Sequence, residues 1–490
     1  MKTKKTNTDG LNMRIIGFGG ARKVGDKTTI HSGRWARILA NVTADAALEG
    51  EIPLNALHLD GRNIDTYFDA WKDVRGVGAP AINNTLENLK NAGIAVEVND
   101  YDINEYIRRF EPSELRHSFD EELFEKLHPT DLAYISTSAV DKDTGRDGHF
   151  PFIDALLQYF EIQVEPNGKK PVILVDTPMT MAQGTTNQVI KRANSIGVKI
   201  HEFLVETLDP AKPITEKYMK KHGIYPSSIN VVRTDNQINY NIPNGVCDDI
   251  IKKRANPLWE KGIHEIVPLI RLFKNIYGTP ATLENIRVVH AEPFITETGE
   301  YITYFDGTGK ENYCAVSALV ELDAVVGEKR VPVRITESFN RKPQRYIEIY
   351  TNDPKIDKIF MSSLTVQQHK ALQEKYSDND IVSGYFSQTT DGDIQECIVS
   401  PIDEVIKEVN PLRDFILDGV DEVYNRGVCP ISQEDSLLTA KYVDEMNLSM
   451  QQYLHNLIKG ETLTHDTNYI FVTEDTLRDP SFPVKIVATT

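Results

Sequence analysis

The chain has 490 residues, enough for roughly three domains or for one or two large ones, with 40% apolar and 26% charged residues, an ordinary globular balance. Its 72 acidic against 54 basic residues leave a formal net charge of −18, which repels phosphodiester backbones and excludes nucleic acid as the expected partner. Four scattered cysteines (Cys247, Cys314, Cys397, Cys429) form no Cys-x-x-Cys pair, and no apolar run reaches the ~18 residues of a membrane span, so no metal cluster, disulfide scaffold or membrane partner is expected.

From the N-terminus, Met1 to Leu11 is a polar tail whose Lys2, Lys4 and Lys5 are not followed by the apolar stretch of a secretory signal, so a cytoplasmic chain is expected. Short runs apolar on both faces follow: Met13–Phe18, Leu54–Leu59, Ile94–Val98, Leu132–Thr137, Pro171–Asp176 and Val198–Val205. Helical stretches separate them at Trp35–Ala46, Leu86–Asn91, Phe150–Phe160 and Thr185–Ser195, the last closed by Gly197. Strand and helix in alternation predict a doubly wound parallel sheet, a Rossmann-type α/β domain over 12–208. Two insertions, Asp60–Asn84 and Asn104–Glu125, enlarge it.

Beyond Ile229 the runs become longer and alternate: Val231–Arg233, Asn285–His290, Ala318–Leu322, Val331–Ile335, Tyr346–Tyr350 and Lys358–Phe360. One amphipathic helix, Pro257–Ile276, interrupts them early, and helical periodicity returns between Pro411 and Lys459. This predicts an α+β domain over 209–490 with a large, mostly antiparallel sheet and C-terminal helices. Thr298–Asn312, with Tyr301, Tyr304 and Tyr313 in or beside it, reads as a surface loop.

The first strand closes on Gly17-Phe18-Gly19-Gly20-Ala21-Arg22. In the dinucleotide fingerprint the first glycine makes the tight turn and the second lets backbone approach pyrophosphate; Arg22 stands at the third position. A polar loop, Lys23–Ile30, precedes the helix. Asp60, ending the second strand, is placed to accept from ribose hydroxyls, whereas Arg62 suits a 2′-phosphate, so the residues argue for NAD and for NADP in turn. A plain strand-to-helix turn is the other reading of these glycines. Ser136, Thr137 and Ser138 end a strand where open α/β sheets bind ligands. His149 either lines that crevice or caps the following helix.

Three segments in order carry a resemblance: Asp131-Leu-Ala-Tyr-Ile-Ser-Thr-Ser138, then Lys170-Pro-Val-Ile-Leu-Val-Asp-Thr-Pro178, then Pro257-Leu-Trp-Glu-Lys-Gly-Ile-His264. Together with Pro411–Phe415 and Pro430–Asp435, they are similar to the Gfo/Idh/MocA-type oxidoreductases from Met13 to about Gln452. That resemblance implies NAD or NADP at the ends of the parallel strands and a sugar, polyol or related small polar substrate against the second sheet. It also implies hydride transfer, and by analogy a homo-oligomer. The family's Glu-Lys-Pro lysine falls on Thr177, its helix carboxylate on Glu260 and its histidine on His264. Thr177 offers a hydrogen bond in place of a charge, and Asp176 beside it is assigned to the cofactor. Glu260 and His264, four apart on a helix, share a face; Lys261, turned by ~100°, is expected to point elsewhere. The pair supplies two metal ligands at most, so no metal is expected.

His264 among Ile263, Ile266 and Leu269 also reads as a satisfied core histidine. Lysine-lacking branches of the same superfamily, the biliverdin reductases among them, and its NAD-dependent glycoside hydrolases leave two alternatives open. One is a hydrolase or lyase that oxidises its substrate transiently; the other is a binding or sensor protein that keeps only the nucleotide pocket.

Overall fold

The computed structural model describes residues 10–18, 21–24, 27–30, 34–61, 86–100, 127, 129–137, 147–162, 169, 171–176, 179–180, 183–204, 211–236, 257–295, 299–305, 311–353, 356–363, 381–387, 394–400, 404–409 and 411–460. The first sheet has six strands: β1 (Leu11–Phe18), β4 (Leu54–Gly61), β5 (Ala95–Asp100), β6 (Leu132–Ile135), β7 (Val172–Asp176) and β8 (Lys199–Phe203). Their spatial order is β5-β4-β1-β6-β7-β8 and each neighbouring pair is parallel. Strands this short and this apolar are buried on both faces: Ala133, Tyr134, Ile135, Val172, Ile173, Leu174 and Val175 are all without solvent contact. The helices α1 (Arg34–Leu48), α2 (Phe150–Ile162) and α3 (Gln183–Ser195) supply the crossovers. The doubly wound fold class predicted from the alternation of strand and helix is the one observed.

The expected polar loop after the glycine run is instead a two-stranded antiparallel hairpin, β2 (Ala21–Val24) against β3 (Lys27–Ile30), with Val24 opposite Lys27. Only the Gly25-Asp26 dipeptide separates these strands, a hairpin signal among Val, Thr and Ile that a loop reading overlooks.

After α4 (Ala211–His222) the chain enters the second sheet with β9 (Pro226–Asn236) and leaves it for a π-helical turn, Leu258–Gly262, that runs directly into α5 (Ile263–Tyr277). Then follow β10 (Thr282–Pro293), β13 (Ala315–Val326), β14 (Lys329–Ser338), β15 (Asn340–Asp353), β16 (Ile356–Ser363), β17 (Ile381–Ser387), β18 (Ile394–Ser400) and β19 (Glu404–Val409). The order is β10-β13-β14-β9-β15-β16-β17-β18-β19, antiparallel except where β14 meets β9 and β16 meets β17. The predicted surface loop around Tyr304 contains a short ribbon, β11 (Thr303–Phe305) paired with β12 (Glu311–Tyr313).

The closing helices are α6 (Pro411–Val423) and α7 (Gln433–Lys459). Phe415, Ile416, Val420 and Val423 of α6 join the core that covers β1, β4, β6 and α1. Tyr442, Val443, Met446 and Met450 of α7 join the core of α5 and the second sheet. The C-terminal segment thus ties both sheets together. No helix among the described residues is long and apolar enough to cross a membrane.

Candidate functional site

In a sheet ordered 5-4-1-6-7-8, connections leave β1 in one direction and β6 in the other, so a crevice opens between the carboxyl ends of β1 and β6. Gly17 sits at that point. Its φ of +116° is one that side chains avoid, and a Cβ there would lie 2.2 Å from the Ser136 carbonyl oxygen. The tight turn predicted for Gly17 is therefore a steric requirement of the close approach between two strand ends. Phe18 ends β1 and Ala21 begins β2; Gly19, Gly20, Arg62, Ser138 and Thr177 lie outside the described residues, as do the side chains of Phe18, Ala21 and Glu260.

Around Gly17 the strand ends carry polar groups. The Ser136 N–H donates to the Ile16 carbonyl at 2.8 Å, and its hydroxyl lies 3.4 Å from Asp176 Oδ2. Asp176 is half-buried at the end of β7. Thr137 Oγ1 donates to the Gly148 carbonyl at 2.7 Å. His149 Nε2 is 3.0 Å from the Thr137 carbonyl, which only accepts, so that nitrogen carries the proton. His149 precedes α2 and its carbonyl accepts the Phe152 and Ile153 N–H groups, while Asp147 accepts from the backbone N–H groups of His149 and Phe150 at 2.9 and 2.8 Å. Below the crevice, burial pushes the Tyr134 hydroxyl well above its usual range, and burial raises Glu202, which accepts the Met179 N–H at 2.7 Å.

Asp60 is engaged differently from its predicted role. Both of its oxygens accept from Arg14 Nη1 at 2.7 Å, and Oδ1 also accepts from Asn99 at 2.9 Å. Arg14 and Asp60 are both 0% exposed. The guanidinium is steadied by Thr130 Oγ1, which accepts from Nε at 3.0 Å. A buried ion pair therefore engages the carboxylate whose place at the end of the second strand pointed to a ribose. Arg14, inside a run read only as strand, gave no separate signal.

On the second side stands the π-helical turn and the start of α5. Wide turns of this kind interrupt a regular helix where a side chain must be re-aimed. Glu260 lies within it and His264, half-buried, lies in the first turn of α5. Lys261, expected to point elsewhere, is only 2% exposed and rests over the Phe339 ring at 5.2 Å. It joins a buried group of ionisable side chains: Arg233 Nη1 lies 3.3 Å from Glu265 Oε1, and neither oxygen of fully buried Glu337 has a hydrogen-bond partner among the described residues. Burial, then the neighbouring Glu265 charge, drives the Glu337 carboxyl well above the carboxylate range; Arg233 and Lys261 oppose this. Gly262 admits the approach: a Cβ would lie 3.4 Å from Glu337 Oε1 and 3.1 Å from Met446 Cε.

One helix relates the two sides. Asp444 of α7 accepts the N–H of Gln183, the first residue of α3, at 2.8 Å. Two residues along, Met446 touches the π-helical turn. The first residue of α3 and the turn before His264 thus lean on the same level of α7. A separate cavity of about 530 Å³, lined by Tyr225, Tyr277, Lys329 and Asn352 among others, contains none of the residues discussed above.

No protein-family model matches the chain and no curated protein matches it. Solved structures match it along most of its length. The super-repressor variant of Gal80p from Saccharomyces cerevisiae is 13% identical, with 91% of this chain and 96% of that chain covered and a TM-score of 0.50. UDP-N-acetylglucosamine 3-dehydrogenase GnnA from Acidithiobacillus ferrooxidans is 12% identical, over 91% and 99%, at 0.48. A variant of KijD10, a 3-ketoreductase from Actinomadura kijaniata solved with TDP-benzene and NADP, is 13% identical, over 90% and 98%, at 0.47. At such identities the likeness is one of fold alone: a six-stranded parallel sheet followed by a large mixed sheet.

Proposed function

We propose that the chain is an NAD(P)-dependent oxidoreductase that moves hydride to or from one carbon of a sugar, polyol or related small polar substrate. The observation that carries the reading is Gly17: a positive-φ glycine packed on the Ser136 backbone, at the point where the strand order of a parallel sheet reverses. That crevice is where a dinucleotide's pyrophosphate needs bare backbone. Gly17 through Ala21, Ser136, Thr137, Ser138 and Asp176 are the residues proposed to hold it. The bound nicotinamide supplies the hydride acceptor or donor.

The protein's own part is proton management. Oxidising an alcohol requires a base at the hydroxyl, and reducing a carbonyl requires an acid at the oxygen. His264 is assigned to that role, with Glu260 supporting it and Thr177 donating a hydrogen bond where a lysine would place a charge. Because Asp60 is committed to Arg14, ribose recognition passes to the residues after Gly61, and Arg62 favours NADP over NAD. The protein is proposed to work as a cytoplasmic homo-oligomer. A second reading, a nucleotide-binding sensor, is favoured by the missing lysine charge at Thr177.

Calorimetry and the absorbance of reduced nicotinamide test these readings together. Wild type should bind NADP more tightly than NAD and change absorbance with a polyol or keto-sugar. His264→Ala should lower turnover by at least about a hundredfold while leaving nucleotide affinity nearly unchanged. Binding without turnover would favour the sensor; substrate cleavage without net absorbance change would favour transient oxidation. Failure of the full chain to bind either dinucleotide would overturn all three.

A further inference from the structure

Apart from the crevice, one group of side chains among the described residues brings together an imidazole, a carboxylate and a thiol. His201 lies on β8, Glu422 on the last turn of α6, and Cys429 in the turn that follows. All three are buried, and their donor atoms lie within 4.8 Å of one another. We propose that they form a structural site for a thiophilic divalent cation, zinc being the metal their chemistry selects, which fastens the C-terminal segment to the parallel sheet.

The tautomer of His201 is the first argument. Its Nδ1 lies 2.8 Å from the Ile431 carbonyl oxygen. A carbonyl only accepts, so Nδ1 holds the proton and Nε2 presents its lone pair. Imidazole ligands of metals are oriented in this way, with the far ring nitrogen donating to a backbone carbonyl. The second argument is where the lone pair goes. Nε2 is at ion-pair distance from Glu422 Oε2, 2.8 Å, but the alignment is poorer than that of a ring N–H donation, so one shared cation, a proton or a metal ion, must sit between them. A metal ion serves this pair and the neighbouring thiol at once, which a single proton does not. Cys429 approaches the same oxygen: its backbone N–H donates to Glu422 Oε2 at 3.1 Å.

Charge and softness narrow the cation. One imidazole, one carboxylate and one thiolate around a doubly charged ion sum to zero, a unit that a buried site accommodates. The sulfur ligand selects zinc over magnesium or calcium, which take oxygen donors. A fourth position is left to water or to Asp418, one turn before Glu422 on the same face of α6. The position suits a fastening. Gly419 lets α6 lie against β7, where its Cβ would be 3.1 Å from Leu174 Cδ1, and the cation would join that helix, the turn after it and β8.

The test uses the reduced, chelator-treated full chain titrated with Zn²⁺ and Co²⁺. The expected result is a single equivalent of either ion per chain, a cobalt–thiolate charge-transfer band, and a melting temperature raised by Zn²⁺. Cys429→Ser and His201→Gln should each lose the band. If the variants do not fold, the wild-type uptake and melting shift still decide. No stoichiometric uptake by wild type, or an unchanged cobalt band in Cys429→Ser, would overturn the site and leave an imidazolium–carboxylate pair.

Discussion

Gly17 and Glu337 show how much a single position decides. At Gly17 two costs coincide: the backbone is in a region reserved for glycine, and a methyl group would penetrate the Ser136 carbonyl at 2.2 Å. Gly17→Ala must either rotate the turn or push β6 away from β1. We expect a loss of about 1–3 kcal/mol of stability and at least a tenfold loss of dinucleotide affinity, read by denaturant titration and calorimetry. Wild-type affinity in a folded Gly17→Ala would remove the turn from the binding site. Glu337 predicts a pH effect. Burial holds its folded-state pKa well above the 4.5 of a free glutamate, so the folded chain keeps a proton that the unfolded chain releases. Its contribution to stability is complete below about pH 4.5 and falls as pH rises toward the folded value. Glu337→Gln keeps the shape and removes the titration. It should melt higher than wild type at about pH 8 and match it near pH 4.5; identical pH profiles for the two proteins would show Glu337 ionised in the fold. Neither the buried, protonated carboxyl of Glu337 nor the pairing of Arg14 with Asp60 was legible in the sequence, because an acidic residue reads the same whether it meets a guanidinium, a ribose or an apolar wall. Gly17 was legible, because only backbone geometry explains a glycine that ends a strand.

Elements were legible where their period was long and their ends were marked. The apolar runs of β1, β6, β7 and β8 and the stripe of α5 stood out because nothing else puts so many branched apolar residues together. The hairpin β2–β3 and the ribbon β11–β12 were missed because three- and four-residue strands carry too few alternations to register against a loop. The π-helical turn is invisible to periodicity, since it shifts the face by less than one residue spacing; within it Lys261 lies over Phe339. Pro268 adds to this irregularity: lacking an N–H, it cannot return a hydrogen bond to the carbonyl four residues earlier, that of His264. By contrast α7 has the start signal that sequence advertises best. Ser432 accepts the Asp435 N–H at 3.1 Å, and Asp435 takes the Ser432 N–H in return. Ser432→Ala should cost about 1 kcal/mol, visible as a lower denaturation midpoint with unchanged slope. No change in midpoint would mean that packing alone fixes the start of α7.

For the whole molecule the decisive arrangement is the return of the C-terminal segment. Two sheets formed from successive stretches of chain invite independent unfolding, but α6 contributes Phe415, Ile416 and Val420 to the first core while α7 contributes Tyr442, Val443 and Met450 to the second. The polar contacts of α7 reach both sides as well: Asp444 takes the Gln183 N–H, Tyr442 takes the Leu283 N–H, and Gln451 pairs with the Tyr313 backbone. Helical periodicity from Pro411 onward was legible, but not the side on which each helix packs, because an amphipathic stripe names no partner. Since neither sheet can open without stripping a helix that the other shares or adjoins, the wild-type chain should melt in one calorimetric transition. Asp444→Ala deletes the carboxylate at the start of α3, where the first N–H groups of a helix have no internal partner. It should cost about 1–2 kcal/mol and broaden or split that transition, with the first sheet losing its protection from hydrogen exchange earlier than the second. Two resolved transitions in wild type, or a variant whose sheets still unfold together, would show that the coupling runs through other contacts than α7.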